Sequence, residues 1–295
     1  MKKILYILVP VMLLAAVSCQ EEKLSPDSVI RVSQAEQNDF DKWLEAEYRN
    51  PYNIEFKYRY EMNETDVNYF TIPADYECSI KMAHLLKYLC IDAFDEVVGP
   101  VFTKTYFPKM FFLIGSWQYN NNGTIVLGSA EGGKKITLAG INQLKDKIND
   151  MEYLNKMYFK TIHHEFTHIM NQTRVYSTDF KMVTPDRYVS DSWNSEPYDK
   201  TFLSRGFISD YAQMSDVEDF AEMTSMFVTH DEAWWQQQLT LAGEGAQYIS
   251  AKLELVKLYY AETYKFDLEE LRATILRRST EISAGLVDLD DITIK

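Results

Sequence analysis

Apolar residues recur at every third or fourth position through a long stretch in the middle of the chain. The stripe that they form consists of Leu154, Tyr158, Ile162, Phe166 and Ile169. This spacing places all of them on one face of a helix with 3.6 residues per turn. We therefore predict a buried amphipathic helix over residues 151–172.

The same reading of the remaining chain predicts both helices and strands. Helical spacing and helix-end signals predict helices over residues 34–49, 75–97, 216–230, 245–264 and 267–282. Alternating or continuous apolar runs predict strands over residues 54–60, 111–114, 124–128 and 135–138, with a turn at residues 120–123.

These elements predict an α+β fold class without internal repeats. We expect a single domain over residues 33–295, with an N-terminal lobe over 33–172 that holds a mixed sheet and helices. A helical C-terminal lobe would follow over 173–295. Its first part, residues 174–205, is rich in Ser, Asp, Pro and Trp and lacks periodicity, so we expect a loop that walls a cleft.

One turn of the central helix carries the pattern H-E-x-x-H as His164, Glu165 and His168. Residues four apart lie one above the other on a helix, so the two imidazoles can bind one Zn²⁺ ion. Glu165 lies at the edge of the same face, where it can take a proton from a water that the metal acidifies. This motif is typical of zincin metallopeptidases. The alternative, two unrelated histidines, is disfavoured because three polar groups beside a buried stripe need partners. His163 points about 100° away from His164, and we predict no role for it.

A zinc centre of this kind needs a third protein ligand. Metzincins take it from a histidine six residues after the second one, with a glycine between them, but Asn171 and Arg174 occupy those positions. A carboxylate is the better candidate, because Glu218 and Glu222 lie four residues apart on one face of an apolar helix. Glu218 as a ligand and Glu222 as the residue that orients a ligand histidine would satisfy both carboxylates. Alternatively, Glu218 completes a capping box at the start of this helix and Glu222 is solvated.

Composition and charge exclude several classes of function. The chain has 295 residues, 46% of them hydrophobic, and a formal net charge of -14 at pH 7. Such an acidic globular chain has no electrostatic attraction for nucleic acid or for an anionic membrane surface. Cys78 and Cys90 lie on one predicted helix about 18 Å apart, which is too far for a disulfide. We therefore expect two free, buried thiols.

The start of the chain predicts export and lipid attachment. Two lysines precede an apolar run over residues 4–17 that is too short to span a bilayer. The sequence A-V-S-C at residues 16–19, where this run ends, resembles a bacterial lipobox. We predict a signal peptide over residues 1–18, lipidation of Cys19 and a tether over residues 19–32. An ordinary secretory signal with an incidental cysteine is the alternative.

Residues 211–222 read Y-A-Q-M-S-D-V-E-D-F-A-E. This segment resembles the region after the metal-binding helix in lethal-factor-like gluzincins. The resemblance implies that Glu218 is the third zinc ligand and that Tyr211 donates the hydrogen bond that stabilises the oxyanion.

The mature chain as a whole resembles the Bacteroidetes putative zinc-binding metallopeptidase family, also called substrate import-associated zinc metallohydrolase lipoproteins. The lipobox, the P-Y-N-I segment at residues 51–54, the H-E-x-x-H motif and the E-D-F-A-E segment carry this resemblance. It implies a gluzincin-like domain with bound Zn²⁺. It also implies an outer-membrane lipoprotein, facing the periplasm or the cell surface, that is associated with SusC/SusD-type import proteins.

These observations together predict a zinc metallopeptidase that acts on a peptide or protein substrate. In zincins an edge strand just upstream of the metal-binding helix pairs with the extended substrate, and residues 125–130 are our candidate for it. A purely structural hairpin is the alternative there.

Two other functions stay open on the sequence alone. One is a non-catalytic, zinc-stabilised binding component of a SusC/SusD-type import system. The other is hydrolysis of a non-peptide amide or ester. Glu165 and Tyr211 argue against the binding component, since a structural zinc site needs neither a base nor an oxyanion donor.

Overall fold

The computed structural model describes residues 36–66, 68–119, 125–126, 128–131 and 135–294. The predicted signal peptide, Cys19 and the tether lie outside these residues, and so does the turn predicted at 120–123. Within the described ranges, no helix has both the length and the apolar character needed to cross a membrane. The chain from Asn38 to Lys295 forms one compact unit.

The strands form a four-stranded sheet and a separate two-stranded one. Their bounds are Glu55–Lys57 (β1), Met110–Leu113 (β2), Gln118–Tyr119 (β3), Ile125–Val126 (β4), Gly128–Glu131 (β5) and Lys135–Leu138 (β6). The larger sheet has the order β1-β2-β6-β5, and β3 pairs with β4. β1, β2 and β6 are parallel, whereas β5 runs antiparallel to β6 and is the outer strand on that side. The apolar residues of β2 suit its inner position, because Phe111, Phe112 and Leu113 are all fully buried.

The strand predictions hold for β2 and β6 and need correction for the other two. The strand predicted over 54–60 pairs only over Glu55–Lys57. Beyond Lys57 the chain leaves the sheet, and the Tyr58 hydroxyl donates to Asp41. The strand predicted over 124–128 is divided, since β4 pairs with β3 while β5 pairs with β6.

Helices supply most of the remaining regular structure. Their bounds are Asp39–Leu44 (α1), Asn50–Tyr52 (α2), Tyr76–Leu86 (α3), Asp92–Val97 (α4), Pro100–Tyr106 (α5), Leu144–Lys147 (α6), Met151–Leu154 (α7), Lys160–Thr173 (α8), Asp179–Met182 (α9), Tyr198–Thr201 (α10), Asp216–Thr229 (α11), Glu232–Ala242 (α12), Ala246–Tyr259 (α13) and Leu268–Ser283 (α14). Single π-helical turns continue several of them, at Glu45–Arg49, Lys87–Ile91, Asn155–Phe159 and Tyr260–Tyr264. The helix predicted over 151–172 is therefore continuous from α7 through a π turn into α8.

The helices predicted over 75–97, 216–230, 245–264 and 267–282 are confirmed to within two residues. The first helix begins later than predicted, because Asn38 forms a capping box with Asp41 and so fixes its start at Asp39. The helices that the sequence did not predict are α2, α5, α6, α9, α10 and α12. α9 and α10 lie within residues 174–205, so the segment predicted there as a loop contains two short helices. Gly99-Pro100 both ends α4 and begins α5, since proline fits a first helical turn, where its missing N–H costs no hydrogen bond.

The central helix lies in the core, as its apolar stripe predicts. Leu154, Tyr158, Ile162 and Phe166 have no exposed surface. α8 packs against α11 and also contacts β5. Cys78 and Cys90 are free and buried, as expected. The fold is thus a mixed α/β arrangement with a small, mostly parallel sheet and many helices.

Candidate metal centre

Three donor atoms from two helices meet at one point. His164 Nε2 lies 3.0 Å from His168 Nε2 and 3.0 Å from Glu218 Oε2, and His168 Nε2 lies 3.2 Å from the same oxygen. In the part of the chain that the structure describes, this is the one group of His, Cys, Asp and Glu side chains arranged to hold a metal ion. The fold therefore brings together the three residues that the sequence predicts as ligands.

The start of α11 sets the position of Glu218. Ser215 caps this helix, and its Oγ accepts a hydrogen bond from the Glu218 N–H at 3.3 Å. The carboxylate of Glu218 does not return to the cap as a capping box requires, because it turns toward the two histidines of α8. The alternative in which Glu218 serves only as a capping residue is therefore wrong.

The spacing of the donor atoms suits a tetrahedral zinc ion. Zinc–nitrogen and zinc–oxygen bonds of about 2.0–2.2 Å place neighbouring ligand atoms about 3.3–3.6 Å apart in a tetrahedron. The three observed separations of 3.0, 3.0 and 3.2 Å are slightly shorter than this range, so a small outward movement of the side chains would admit the ion. Two imidazole nitrogens 3.0 Å apart cannot both carry a proton toward each other, so at least one of them presents a lone pair, as a metal ligand does. Two histidines and one glutamate also match the ligand set of many catalytic zinc sites.

The charges around the cluster favour a cation. Burial lowers the pKa of His164, but the carboxylates of Glu218 and Glu222 outweigh it and raise this pKa to about 9. Burial raises the pKa of Glu218, but the two histidines outweigh it and lower this pKa to about 2. The carboxylates are thus negative near neutral pH and attract a proton or a metal ion to the imidazoles.

Glu222 lies on the other side of His164. Its Oε1 is 2.8 Å from His164 Nδ1, which is a hydrogen-bond distance, although the two groups are not aligned well enough to form one. Lys160 Nζ lies 2.8 Å from Glu222 Oε2, and Ser209 Oγ donates to that oxygen at 2.6 Å. Burial raises the pKa of Glu222, but Lys160 and His164 outweigh it and hold the pKa well below its ordinary value. A carboxylate held this way can direct the Nε2 atom of His164 toward a metal.

The two residues that contact Glu222, Lys160 and Ser209, were not predicted from the sequence. Lys160 is four residues before His164 on the same helix, so helical spacing alone could have indicated it. Ser209 lies in an irregular segment and reaches Glu222 only through the tertiary fold.

Glu165 and Tyr211 lie beside the same cluster. Burial raises the pKa of Glu165, and its carboxylate interacts electrostatically with both His164 and His168. The Tyr211 ring centroid is 5.9 Å from that of His164. Burial, and then the charge of Glu218, raise the pKa of Tyr211 above its ordinary value, so its hydroxyl remains a hydrogen-bond donor. Trp193 packs edge-on against Tyr211 with centroids 5.0 Å apart, which places the 174–205 segment next to the site.

Asp219, the residue after Glu218, belongs to a buried network that the sequence does not reveal. Lys252 Nζ lies 2.6 Å from Asp219 Oδ2, and both side chains have no exposed surface. Tyr188 donates to the same oxygen at 3.0 Å, and Lys252 donates to the Gly206 carbonyl at 2.9 Å. This network connects α11 with α13 and with the 174–205 segment directly behind Glu218.

His163 lies apart from the donor cluster, as predicted. Its Nε2 is 4.0 Å from the Sγ of Cys90, and the residue is buried. Burial lowers the pKa of His163 to about 4, so it is neutral near pH 7.

Comparison with known proteins assigns the chain to a family. Residues 33–269 match the model of the family described as "putative zinc-binding metallo-peptidase". The chain belongs to this family. The crystal structure of a putative zinc-binding metallo-peptidase from Bacteroides caccae ATCC 43185 is similar to it, with 36% sequence identity and a TM-score of 0.75. That likeness covers 90% of this chain and 100% of the other. No curated protein matches the chain significantly.

The zinc-binding metallopeptidase family was predicted from the sequence, and this part of the prediction is confirmed. The range matched by the family model contains every predicted site residue that follows the tether. The gluzincin type, the individual zinc ligands and the roles of Glu165 and Tyr211 stay predictions. Lipidation of Cys19 falls outside both the matched range and the described residues.

Proposed function

We propose that the protein is a zinc-dependent peptidase of the gluzincin type, with His164, His168 and Glu218 as the residues that hold the metal. The observation that carries this proposal is the convergence of their three donor atoms at 3.0–3.2 Å. Membership of a family described as zinc-binding metallo-peptidases supports it. A purely structural zinc site would more often be closed by a fourth protein ligand.

The chemistry follows from the groups around the cluster. Zinc, when bound, supplies a Lewis acid that acidifies a water and polarises a carbonyl group. Glu165 removes the proton from the attacking water and then delivers it to the leaving amine. The hydroxyl of Tyr211 donates a hydrogen bond to the oxyanion that develops on the attacked carbonyl. Glu222, fixed by Lys160 and Ser209, keeps the His164 ring in its orientation.

The outer strand β5 is the proposed position for the backbone of the substrate. It covers Gly128–Glu131, which includes the second half of the segment predicted for this role, and it contacts α8. An extended peptide that pairs with an outer strand gains backbone hydrogen bonds without any requirement on its sequence. Ile125–Val126 pairs with β3 instead, so the substrate-pairing proposal is limited to β5.

The test of this function is cleavage of a randomised peptide library by the purified chain. We expect cleavage that stops when a chelator removes the metal and returns when zinc is added. Cleavage that continues after complete metal removal would contradict the proposal. Zinc binding without cleavage of any peptide, amide or ester substrate would favour the non-catalytic binding component of an import system.

Replacing Tyr211 with phenylalanine tests the oxyanion donor separately. This change removes one hydroxyl and keeps the ring that packs against Trp193. We expect kcat to fall by about 10²- to 10³-fold, with little change in KM, because the hydrogen bond forms mainly in the transition state. A variant with wild-type kcat would exclude Tyr211 from the mechanism. Replacement of the exposed Tyr119 by phenylalanine is the matched control.

We further propose that the chain is an outer-membrane lipoprotein attached through Cys19 and associated with SusC/SusD-type import proteins. The lipobox-like sequence before Cys19 and the family resemblance support this proposal. Labelled fatty acid is expected to enter the wild-type protein and not the Cys19→Ala variant. Equal labelling of both proteins, or labelling of neither, would contradict lipidation at this residue.

A further inference from the structure

Tyr211, the proposed oxyanion donor, lies on a short element. It begins a single 3₁₀ turn, Tyr211–Gln213, which precedes α11. Its backbone N–H donates to Asp210 Oδ1 at 2.8 Å, which fixes the backbone but not the side-chain torsions. A donor stabilises a transition state only when it is held within about 0.5 Å of its productive position. The Tyr211 ring therefore needs packing partners that hold it in place.

Two other rings contact the ring of Tyr211. Its centroid lies 5.9 Å from that of His164, with an angle of 39° between the planes. The centroid of Trp193 is closer, at 5.0 Å, and the two planes meet at 80°. Edge-to-face contact at centroid distances of about 4.5–7 Å is a favoured arrangement of aromatic side chains. Trp193 thus supplies a well-formed contact to Tyr211 from outside the metal-binding helices.

Trp193 is the inward side chain of an otherwise exposed loop. Residues 190–192 and 194–197 are all exposed, whereas Trp193 is half-buried. A short 3₁₀ turn, Ser190–Ser192, leads into Trp193, whose N–H donates to the Ser190 carbonyl at 3.2 Å. The loop therefore places its one aromatic side chain against Tyr211 and leaves the neighbouring side chains in solvent.

Gln213 fastens this loop on both sides of Trp193. Its carbonyl accepts a hydrogen bond from the Val189 N–H at 2.8 Å, and its Nε2 donates to the Tyr198 carbonyl at 2.9 Å. Gln213 has no exposed surface. Because Gln213 and Tyr211 belong to the same 3₁₀ turn, these bonds connect the loop that carries Trp193 to the element that carries Tyr211. They fix the position of one ring relative to the other.

We propose that Trp193 is a positioning residue, which holds the ring of Tyr211 where its hydroxyl reaches the oxyanion. Trp193 acts through Tyr211 and not by contact with the reacting atoms. This inference rests on the proposed peptidase function and adds to it a residue that the sequence patterns did not indicate. Its consequence is that the effect of replacing Trp193 depends on the presence of the Tyr211 hydroxyl.

Kinetics of single and double variants measure this dependence. Trp193→Leu is expected to lower kcat by about 10- to 100-fold with little change in KM, because a misplaced donor weakens binding of the transition state more than that of the substrate. In a protein that also carries Tyr211→Phe, the same change should lower kcat by less than about twofold, since no hydroxyl remains to be positioned. Trp193→Phe keeps an aromatic contact and should retain kcat to within about threefold.

A control variant and the zinc content distinguish positioning from a structural role. Trp234→Leu removes another half-buried tryptophan, which packs against His230 with centroids 3.9 Å apart, and should leave kcat unchanged. All variants are expected to keep their zinc. An equal fall in kcat on Trp193→Leu with and without the Tyr211 hydroxyl would make Trp193 a structural residue and overturn the inference. A wild-type kcat for Trp193→Leu would also overturn it.

Binding of a phosphinic peptide tests the same coupling without turnover. Its tetrahedral phosphinate resembles the attacked carbonyl group and offers an anionic oxygen to Tyr211. Calorimetry on the zinc-loaded protein is expected to show that Trp193→Leu raises the Kd by about 10-fold, and that it has no such effect when Tyr211→Phe is also present.

The two proposals fail in different ways. Coupled binding of the phosphinic peptide, without cleavage of any peptide by the wild type, would support the positioning role and contradict the peptidase function. Zinc-dependent cleavage in which the two changes act independently would support the peptidase function and contradict the positioning role. Absence of both binding and cleavage would contradict both.

Discussion

Replacing Glu165 with glutamine is expected to lower kcat for peptide cleavage by about 10²- to 10⁴-fold and to leave the zinc content unchanged. Glutamine keeps the shape of the side chain but can neither accept a proton from the attacking water nor deliver it to the leaving amine. Zinc is retained because the three donor atoms that meet at 3.0–3.2 Å belong to other residues. The measurement combines steady-state kinetics on a cleaved peptide with metal analysis of the same protein sample.

Glu152→Gln is the matched control for this variant. Glu152 is exposed on α7, in the same continuous helix, and its replacement is expected to leave kcat unchanged. A Glu165→Gln protein that cleaves at the wild-type rate would place the base elsewhere. Loss of zinc from that protein would show that Glu165 takes part in holding the metal.

Breaking the buried pair between Asp219 and Lys252 is expected to have the largest effect on stability. Each single change, Asp219→Leu or Lys252→Met, should lower the free energy of unfolding by about 3–5 kcal/mol, because it leaves the other charge buried without its partner. Burial raises the pKa of Asp219 to about 6 even though Lys252 opposes this shift, which shows how strongly the site disfavours an uncompensated charge. Urea denaturation at a fixed zinc occupancy measures the loss, since bound zinc itself stabilises the folded state.

The double variant and an exposed pair provide the controls. Asp219→Leu combined with Lys252→Met should recover much of the loss, because no charge then remains buried. Lys200→Met breaks an exposed ion pair, in which the side chain of Lys200 is 66% exposed and that of Glu196 is 76% exposed. This change should lower the free energy of unfolding by less than about 1 kcal/mol. Single variants of the buried pair that lose no more than Lys200→Met would contradict its stabilising role.

The parts of the site that follow local rules could be predicted from the sequence. The one-turn separation of His164 and His168 is set by helix geometry, and the apolar stripe of the same helix indicates that this turn is buried. The position of Glu218 is not local, because α11 follows α8 after more than forty residues. Glu218 could be predicted as a ligand only because two carboxylates on an apolar helix face need a cation, and because the neighbouring sequence resembles a known family.

The surroundings of the ligands depend on tertiary packing and were not predicted. Ser209 and Lys252 meet Glu222 and Asp219 only because separate segments fold against α11. The division of the 124–128 strand has a similar origin, since residues on either side of position 127 pair with different strands. Short strands have little intrinsic preference, so their partners decide where they begin and end.

The most direct test of the proposed zinc centre is the zinc content, by elemental analysis, of the wild-type protein and the Glu218→Ala variant after reconstitution. Glu244→Ala serves as the control, because Glu244 is exposed and remote in sequence, whereas the buried Asp219 would perturb the fold when replaced. We expect stoichiometric zinc in the wild type and the control, and its loss in Glu218→Ala. Zinc retained by Glu218→Ala, or no zinc in the reconstituted wild type, would contradict a centre built from His164, His168 and Glu218.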